Sequence, residues 1–513
     1  MYMLQNTNKF LNLFKKGNNK KIILSLLFIL LVFLSLFPRS VEVLNGNPVF
    51  GFDQGREMLA AKNIIINHKP ILIGTELGAG SAGISGIFQG PAYYYLLTIP
   101  FVLFNGNPAG SVWLMLFFGL LSIIFGAYLG YKIFGKRGGI LVTLLMAISP
   151  ILIGQSRFIW SPYPPTFFIL LSFYFTYFLK KRNLNVFFAS FFAGFIYNFE
   201  LAIAVPLSIA LALYSIFIFR GYLRKYIYLF LGFLISYSPM FFFELRHGFM
   251  GLKGIIIYLT VHKNVSGKSL TSFVPEHAQS FIYNFKDTFP VNDFNFSLLF
   301  FIVLLLVFVY LLIKEKNNEL KYFFSFLLLL VPVSFFVFSL LRNTVWSYYL
   351  TELDLGYILL LTYIIVSLQK FKDVKINILL IIFIGSLTML GLYSSISTTL
   401  HDYSDYGGGA KLKGKEAAID YIYKNAKGKP FGLLVFTPPV YTYPYDYLVW
   451  WYGEKKYHYI PHNKKKGTFY LLIEPDSEKP WSYKGWLETV IKSGKIESTV
   501  TLPSGLIVQK RFE

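Results

Sequence analysis

The stretch GFDQGRE, residues 51–57, brings Asp53, Arg56 and Glu57 together just after a strongly apolar run. A carboxylate at such a place can accept or orient the proton of an attacking hydroxyl. Asp53 can equally serve as the N-cap of a helix over REMLAAKNIII. Three other stretches leave apolar runs with polar groups attached. GQSRFIWSPYPP (154–165) delivers Arg157 into an aromatic, proline-rich turn, and SPMFFFELRHGF (238–249) delivers Glu244, Arg246 and His247. RNTVWSYYL (342–350) delivers Arg342 with Tyr348 and Tyr349, and FQGPAYYYLLTIPFVLF (88–104) adds Tyr93. Arginines of this kind grip phosphate through paired N–H donors, and aromatic rings suit a membrane interface or a sugar ring. A lipid phosphate with a sugar head meets all three demands. Each element has a plainer use: a helix-end arginine snorkels, and Glu244 with Arg246 makes an exposed ion pair worth little. Only the combination on one face points to chemistry. No HExxH, no cysteine and no Asp-x-Asp in the first loop suggests a metal, and the two carboxylates of ELD, 352–354, are too few oxygen ligands for a hard cation. We expect no metal and no cofactor.

What must position these residues is a bundle of membrane helices. The 513 residues are 55% hydrophobic and only 14% charged, where a soluble domain carries about 25% charged residues. Eleven apolar runs read as spans: 21–38, 111–131, 139–156, 165–179, 185–199, 201–219, 226–243, 296–313, 322–341, 355–369 and 376–395. The first follows five lysines but lacks a small-residue cleavage site, so it reads as a retained helix. With the N-terminus cytoplasmic, every short cytoplasmic loop carries three Lys/Arg, which is the positive-inside pattern. Of the 14 Asp/Glu before residue 401, 11 then fall on the outer face with the candidate site. The net charge of +22 is thereby accounted for by topology, and nucleic acid is not an expected partner.

The first outer loop, 39–108, is long. Residues 88–104 are apolar but too short to span, and crossing there would invert every later basic loop, so they read as an interfacial helix. The glycine-rich GTELGAGSAGISG (74–86) lacks the GK[ST] of a phosphate loop. From about residue 401 the charge density becomes that of a soluble domain. GKEAAIDYIYKN and WLETVIKSG read as helices, and FGLLVFT, GTFYLLIEP and SGLIVQKRF as strands. The run Lys464–Lys466 reads as a solvated loop rather than a contact to anionic lipid or glycan.

The order of these features resembles the GT-C superfamily of membrane glycosyltransferases, especially the protein O-mannosyltransferase and aminoarabinose transferase group (glycosyltransferase family 39-like). The likeness covers roughly residues 20–370 and an outer C-terminal domain. Asp53-Gln54 stands where the family has Asp-Glu, QGPAYYYLL matches its surface helix, Ser156-Arg157-Phe158 matches its SRF motif, and RNTVWSYYL loosely matches a late Arg/Tyr segment. The resemblance implies an α-helical polytopic membrane protein of GT-C type, with about 11 transmembrane helices in residues 1–400 and a small α/β extracytoplasmic domain in 401–513. It implies inverting transfer of a hexose or pentose from a polyprenyl-phosphate-linked donor to an acceptor glycan, lipid or protein, at the outer face of the cytoplasmic membrane. It carries the base role onto Asp53 and a partner or phosphate role onto Arg157. Glu57, Tyr93, Glu244, Arg246, His247, Arg342, Tyr348 and Tyr349 are the expected substrate-binding set. Gln54 departs from the family, and an amide cannot act as a second acid; Glu57, a helical turn from Asp53, is positioned to compensate. A lipid-glycan flippase or transporter predicts internal repeats and mid-membrane charges instead. A non-catalytic glycan assembly or binding protein predicts tolerance of Asp53 substitution and sensitivity to loss of the tail.

Overall fold

The computed structural model describes residues 19–77, 86–260, 270–291, 293–341, 344–438 and 441–513. All eleven apolar runs lie on helices. Six of the described helices are long and apolar enough to cross a membrane, or seven when Leu223–Ser236 and Ser238–Arg246, bent by 63°, count as one span. Their surroundings differ. Ser347–Gln369 is 94% buried and runs through the centre, whereas Phe294–Lys314 and Val374–Ser404 are 28% and 17% buried. The outer helices present Val303, Leu306, Ile313, Leu379, Ile381 and Met389 outward. An apolar exterior with all backbone groups satisfied inside helices is what a bilayer demands. The chain is a multi-pass membrane protein.

Two of the expected spans, 111–131 and 139–156, meet in one continuous helical stretch, Val112–Ile148, with a single non-helical residue, Gly135, at φ 77° and ψ −168°. The left-handed φ is open to glycine at little steric cost, and the chain folds back there. A Cβ on Gly130 would lie 2.9 Å from the Gly138 carbonyl oxygen, so the two arms touch backbone to backbone, as small residues allow between membrane helices. The second arm ends at Ser149, and Pro150 starts a short helix, Pro150–Gln155.

Helix starts follow side-chain caps. Asp293 accepts from Phe296 N at 2.6 Å, Asp373 from Lys375 N at 2.7 Å, and Glu200 from Ala202 N at 3.0 Å, each satisfying an otherwise orphaned donor.

The tail forms a four-stranded sheet of β1 (Gly432–Phe436), β2 (Thr468–Ile473), β3 (Lys495–Thr501) and β4 (Ile507–Phe512), in the order β1-β2-β4-β3. β1 and β2 are parallel, and the other pairs are antiparallel. β3, reading KIESTVT, was not expected, because an almost wholly exposed edge strand has no alternating apolar face to reveal it. Lys465 of the basic run donates to the Val490 and Ile491 carbonyls at 2.7 and 2.6 Å, closing the end of a helical turn.

The tail and the first loop share one core. Phe50, Met58, Tyr93 and Leu97 pack in the same cluster as Leu412, Ile419, Tyr445 and Tyr470. Leu412 N donates to Pro48 O at 2.9 Å and Phe50 N to Ala410 O at 3.1 Å. At Gly55 the two are in close contact: a Cβ there would stand 2.3 Å from Pro444 N. The tail therefore bears directly on the helix that carries Asp53.

Candidate active site

Helix Phe52–Ile65 begins after Gly51. Gln54, its third residue, is buried and pinned at both ends. Its Oε1 accepts from Gly51 N at 3.0 Å, and its Nε2 donates to Ile159 O at 2.8 Å. The amide that stands where a second acid was expected thus ties this helix to the 154–165 turn. A carboxylate could not donate that second bond.

Asp53, at the helix start, pairs with Arg56 one turn on, Oδ1 to Nη2 at 2.7 Å, and its side chain remains 33% exposed. Arg56 Nη2 also lies 3.8 Å from Glu57 Oε1. Glu57 is fully buried and faces the Tyr93 hydroxyl, with no hydrogen bond of ordinary geometry on either oxygen. Burial pushes its pKa well above the usual carboxylate range, more than Arg56 can draw it down. For Arg56, burial works against the charge, but Glu57 and Asp53 outweigh it and hold the guanidinium's pKa up.

A third acid reaches the same place from the start of a membrane helix. Glu200, the cap of helix Leu201–Ile218, accepts from Gln89 Nε2 at 3.2 Å and from Ala202 N at 3.0 Å. Burial raises its pKa to about 7 against those bonds, and the charge of Asp53 adds to the rise. Tyr348 and Tyr349 lie 4.5 Å apart, ring to ring, and Tyr348 packs on Trp160 at 4.4 Å. Trp160 in turn meets Phe158 and Tyr163 at 5.8 and 5.6 Å. One end of the bundle so collects three carboxylates, one arginine and a wall of aromatic rings.

The expected pairing of Asp53 with Arg157 is not found, because each has other partners. Arg157 grips Glu42 with two bonds, Nε to Oε2 at 2.8 Å and Nη2 to Oε1 at 2.6 Å, and reaches Asp402 at 2.7 Å. It joins the end of the first membrane helix to the end of the last. Burial works against its charge, but Glu42 and Asp402 keep its pKa above the ordinary value. Glu244 does not pair with Arg246 either. Its carboxylate accepts from Gly251 N and Leu252 N at 3.0 and 3.1 Å, the start of the next helix. Arg246 and His247 are exposed, and the His247 ring stacks on Phe243 at 4.1 Å. Phe243 also meets Phe88 at 5.4 Å, which brings that helix end against the first loop. Arg342 lies outside the described residues, as do positions 78–85 of the glycine-rich loop. The carboxylates of ELD are committed elsewhere: Glu352 accepts from Ser334 Oγ at 3.1 Å, and Asp354 from Asn284 and Thr288 at 2.7 and 2.8 Å. Among the described residues, no three of His, Cys, Asp and Glu stand so as to hold a metal ion.

Arg56, Gln89, Trp160 and Glu200 were not on the expected list. Arg56 was open to sequence reasoning, since a basic residue three positions after an acid on a helix faces it. Glu200 precedes an apolar run as an N-cap does. Gln89 and Trp160 carry no such signal, and only tertiary packing brings them in.

No family model matches the sequence, and no curated protein matches it. The fold, however, is similar to that of ArnT from Cupriavidus metallidurans, both bound to undecaprenyl phosphate and in the apo state. In each case the TM-score is 0.56 and the identity 10%, over 96% of this chain and 98% of that chain. A weaker likeness, to the Archaeoglobus fulgidus oligosaccharyltransferase with zinc and sulfate, has a TM-score of 0.47 at 13% identity over 94% of this chain and 72% of that one, and nothing below rests on it. The fold is of the GT-C type.

Proposed function

From a GT-C-type membrane fold with three carboxylates and an arginine at one end of its bundle, we propose that the chain is an inverting glycosyltransferase using a polyprenyl-phosphate-linked sugar. Transfer takes place at the outer face of the cytoplasmic membrane, with the N-terminus inside and residues 401–513 outside. The supporting topology is the Lys/Arg pattern of the short loops. The chosen donor class is supported by the fold shared with an ArnT bound to undecaprenyl phosphate.

The observation that carries the reading is the contrast among the three acids. Glu57 is fully buried, which pushes its pKa well up, Glu200 is buried with a pKa of about 7, and Asp53 is the one that is partly open, in close contact with Arg56. Acids whose environments push their pKa values apart separate into distinct roles. Asp53 takes the proton of the acceptor hydroxyl as that oxygen attacks the anomeric carbon. The bond from that carbon to the phosphate oxygen breaks, and polyprenyl phosphate leaves with the bonding pair. Arg56 holds Asp53 in place, and Trp160, Tyr348 and Tyr349 offer faces to the sugar ring. Arg246, His247 and Arg342 are the candidate cations for the donor phosphate, with Tyr93 and Glu57 lining the acceptor side.

Purified protein incubated with a panel of polyprenyl-phosphate sugars and a mixed glycan, lipid and peptide acceptor pool tests this. Release of free polyprenyl phosphate from at least one donor is expected. No release from any member, with the same protein shown to be folded, overturns it.

A further inference from the structure

We propose that a second cavity, beside Arg157 and the last membrane helix, binds one hydroxylated sugar ring that carries no anionic substituent. The cavity holds ≈ 380 Å³, within the range that suits a small ligand. One wall is the outermost turns of helix Val374–Ser404. Ser394, Ser395, Thr398, Thr399 and Asp402 all line the cavity, and their spacing of one, four, five and eight positions places them on one face of the helix. From Ile378 to Tyr393 the helix is apolar but for Ser386 and Thr388, so this stripe is a local feature of its end.

Thr399 shows that the stripe is not self-satisfied. It is only 4% exposed, yet its hydroxyl has no hydrogen-bond partner. Threonines inside helices normally return their proton to the carbonyl four residues back, as Thr388 of the same helix does to Ile384 O at 2.7 Å. A buried hydroxyl left without a partner is disfavoured by about 1–3 kcal/mol unless something fills the site.

The opposite wall sets the charge. Arg157 is bonded to both Glu42 and Asp402, so the rim carries one positive and two negative groups. A phosphate or carboxylate entering there meets net repulsion, while hydroxyl or ammonium groups find acceptors. Phe158 and Tyr163, 6.0 Å apart, supply the apolar surface for the C–H face of a ring. Trp160 packs on these two rings and on Tyr348, and Asp53 does not line this cavity. The inference does not depend on the transfer reaction.

The test uses the full chain in a zwitterionic, sugar-free detergent, because maltoside headgroups would compete. Methyl glucoside, glucosamine, glucuronate and inorganic phosphate are the probes, followed by ligand-observed NMR and Trp fluorescence. Saturable binding of methyl glucoside or glucosamine is expected. It should weaken at least tenfold in Ser395→Ala/Thr399→Val and stay unchanged in Asp53→Asn. Should the double variant fold poorly, Ser395→Ala alone, at a half-buried position, gives the same reading with a smaller factor. The proposal fails if neither sugar binds saturably, if glucuronate or phosphate binds as well, or if Asp53→Asn abolishes binding while the hydroxyl variants keep it.

Discussion

Replacing Arg157 by methionine keeps much of its length and removes its charge. Three charge-assisted bonds of 2.6 to 2.8 Å disappear, and Glu42 and Asp402 are left facing each other with side chains 12% and 27% exposed. Removing one member of a buried ion pair costs about 3–5 kcal/mol. Because Asp402 keeps a quarter of its surface in solvent, screening brings the expected loss to about 3 kcal/mol. At about 2 cal/mol/K of unfolding entropy per residue, that lowers the thermal midpoint of a chain of this size by about 3 °C. A further pair of substitutions identifies the cause. Adding Glu42→Gln and Asp402→Asn to the variant removes the repulsion and restores about 2 kcal/mol. Thermal unfolding in detergent at pH 7.5 compares wild type, Arg157→Met and the triple variant. A midpoint within 1 °C of wild type, or a triple variant no more stable than Arg157→Met, would refute the clamp.

Three further outcomes follow from the same geometry. Gly55→Ala places a Cβ 2.3 Å from Pro444 N; the tail must shift, and limited proteolysis within residues 401–513 should accelerate severalfold. Gln54→Glu removes the donor to Ile159 O and introduces a buried acid. It should destabilise by about 2 kcal/mol, and turnover should not rise even though it places an acidic pair at positions 53 and 54. Glu200→Gln flattens the dependence of stability on pH. A carboxyl whose pKa rises from 4.5 to about 7 on folding favours the folded state below pH 4.5, and that advantage is lost as pH climbs through 7. The lost increment is about 3 kcal/mol, so the ratio of variant to wild-type stability should improve between pH 5 and pH 8; parallel melting curves at the two values would contradict it.

Much of the scaffold was legible because lipid imposes a strong signal. Runs such as 296–313 and 376–395 need only length and apolarity, and both lie on helices with apolar exteriors. The turn at Gly135 was foreshadowed by the three basic residues around it, Lys132, Lys136 and Arg137, which no membrane interior would hold. Side-chain partners were less legible. Arg157, Asp53 and Glu244 stand at or beside helix ends, but nothing local says that Arg157 reaches Glu42 and Asp402, 115 and 245 residues away. Glu244 shows how a polar group that reads as a ligand contact can be spent on a helix start. The tail's packing on the Asp53 helix was equally hidden, since a shared apolar core leaves the same pattern as two separate ones.

The most direct test compares Asp53→Asn with wild type in polyprenyl phosphate release from the best donor of the panel, both proteins having the same thermal midpoint. The account predicts release by wild type and a loss of at least a hundredfold in the variant. Equal release by the two proteins would contradict it.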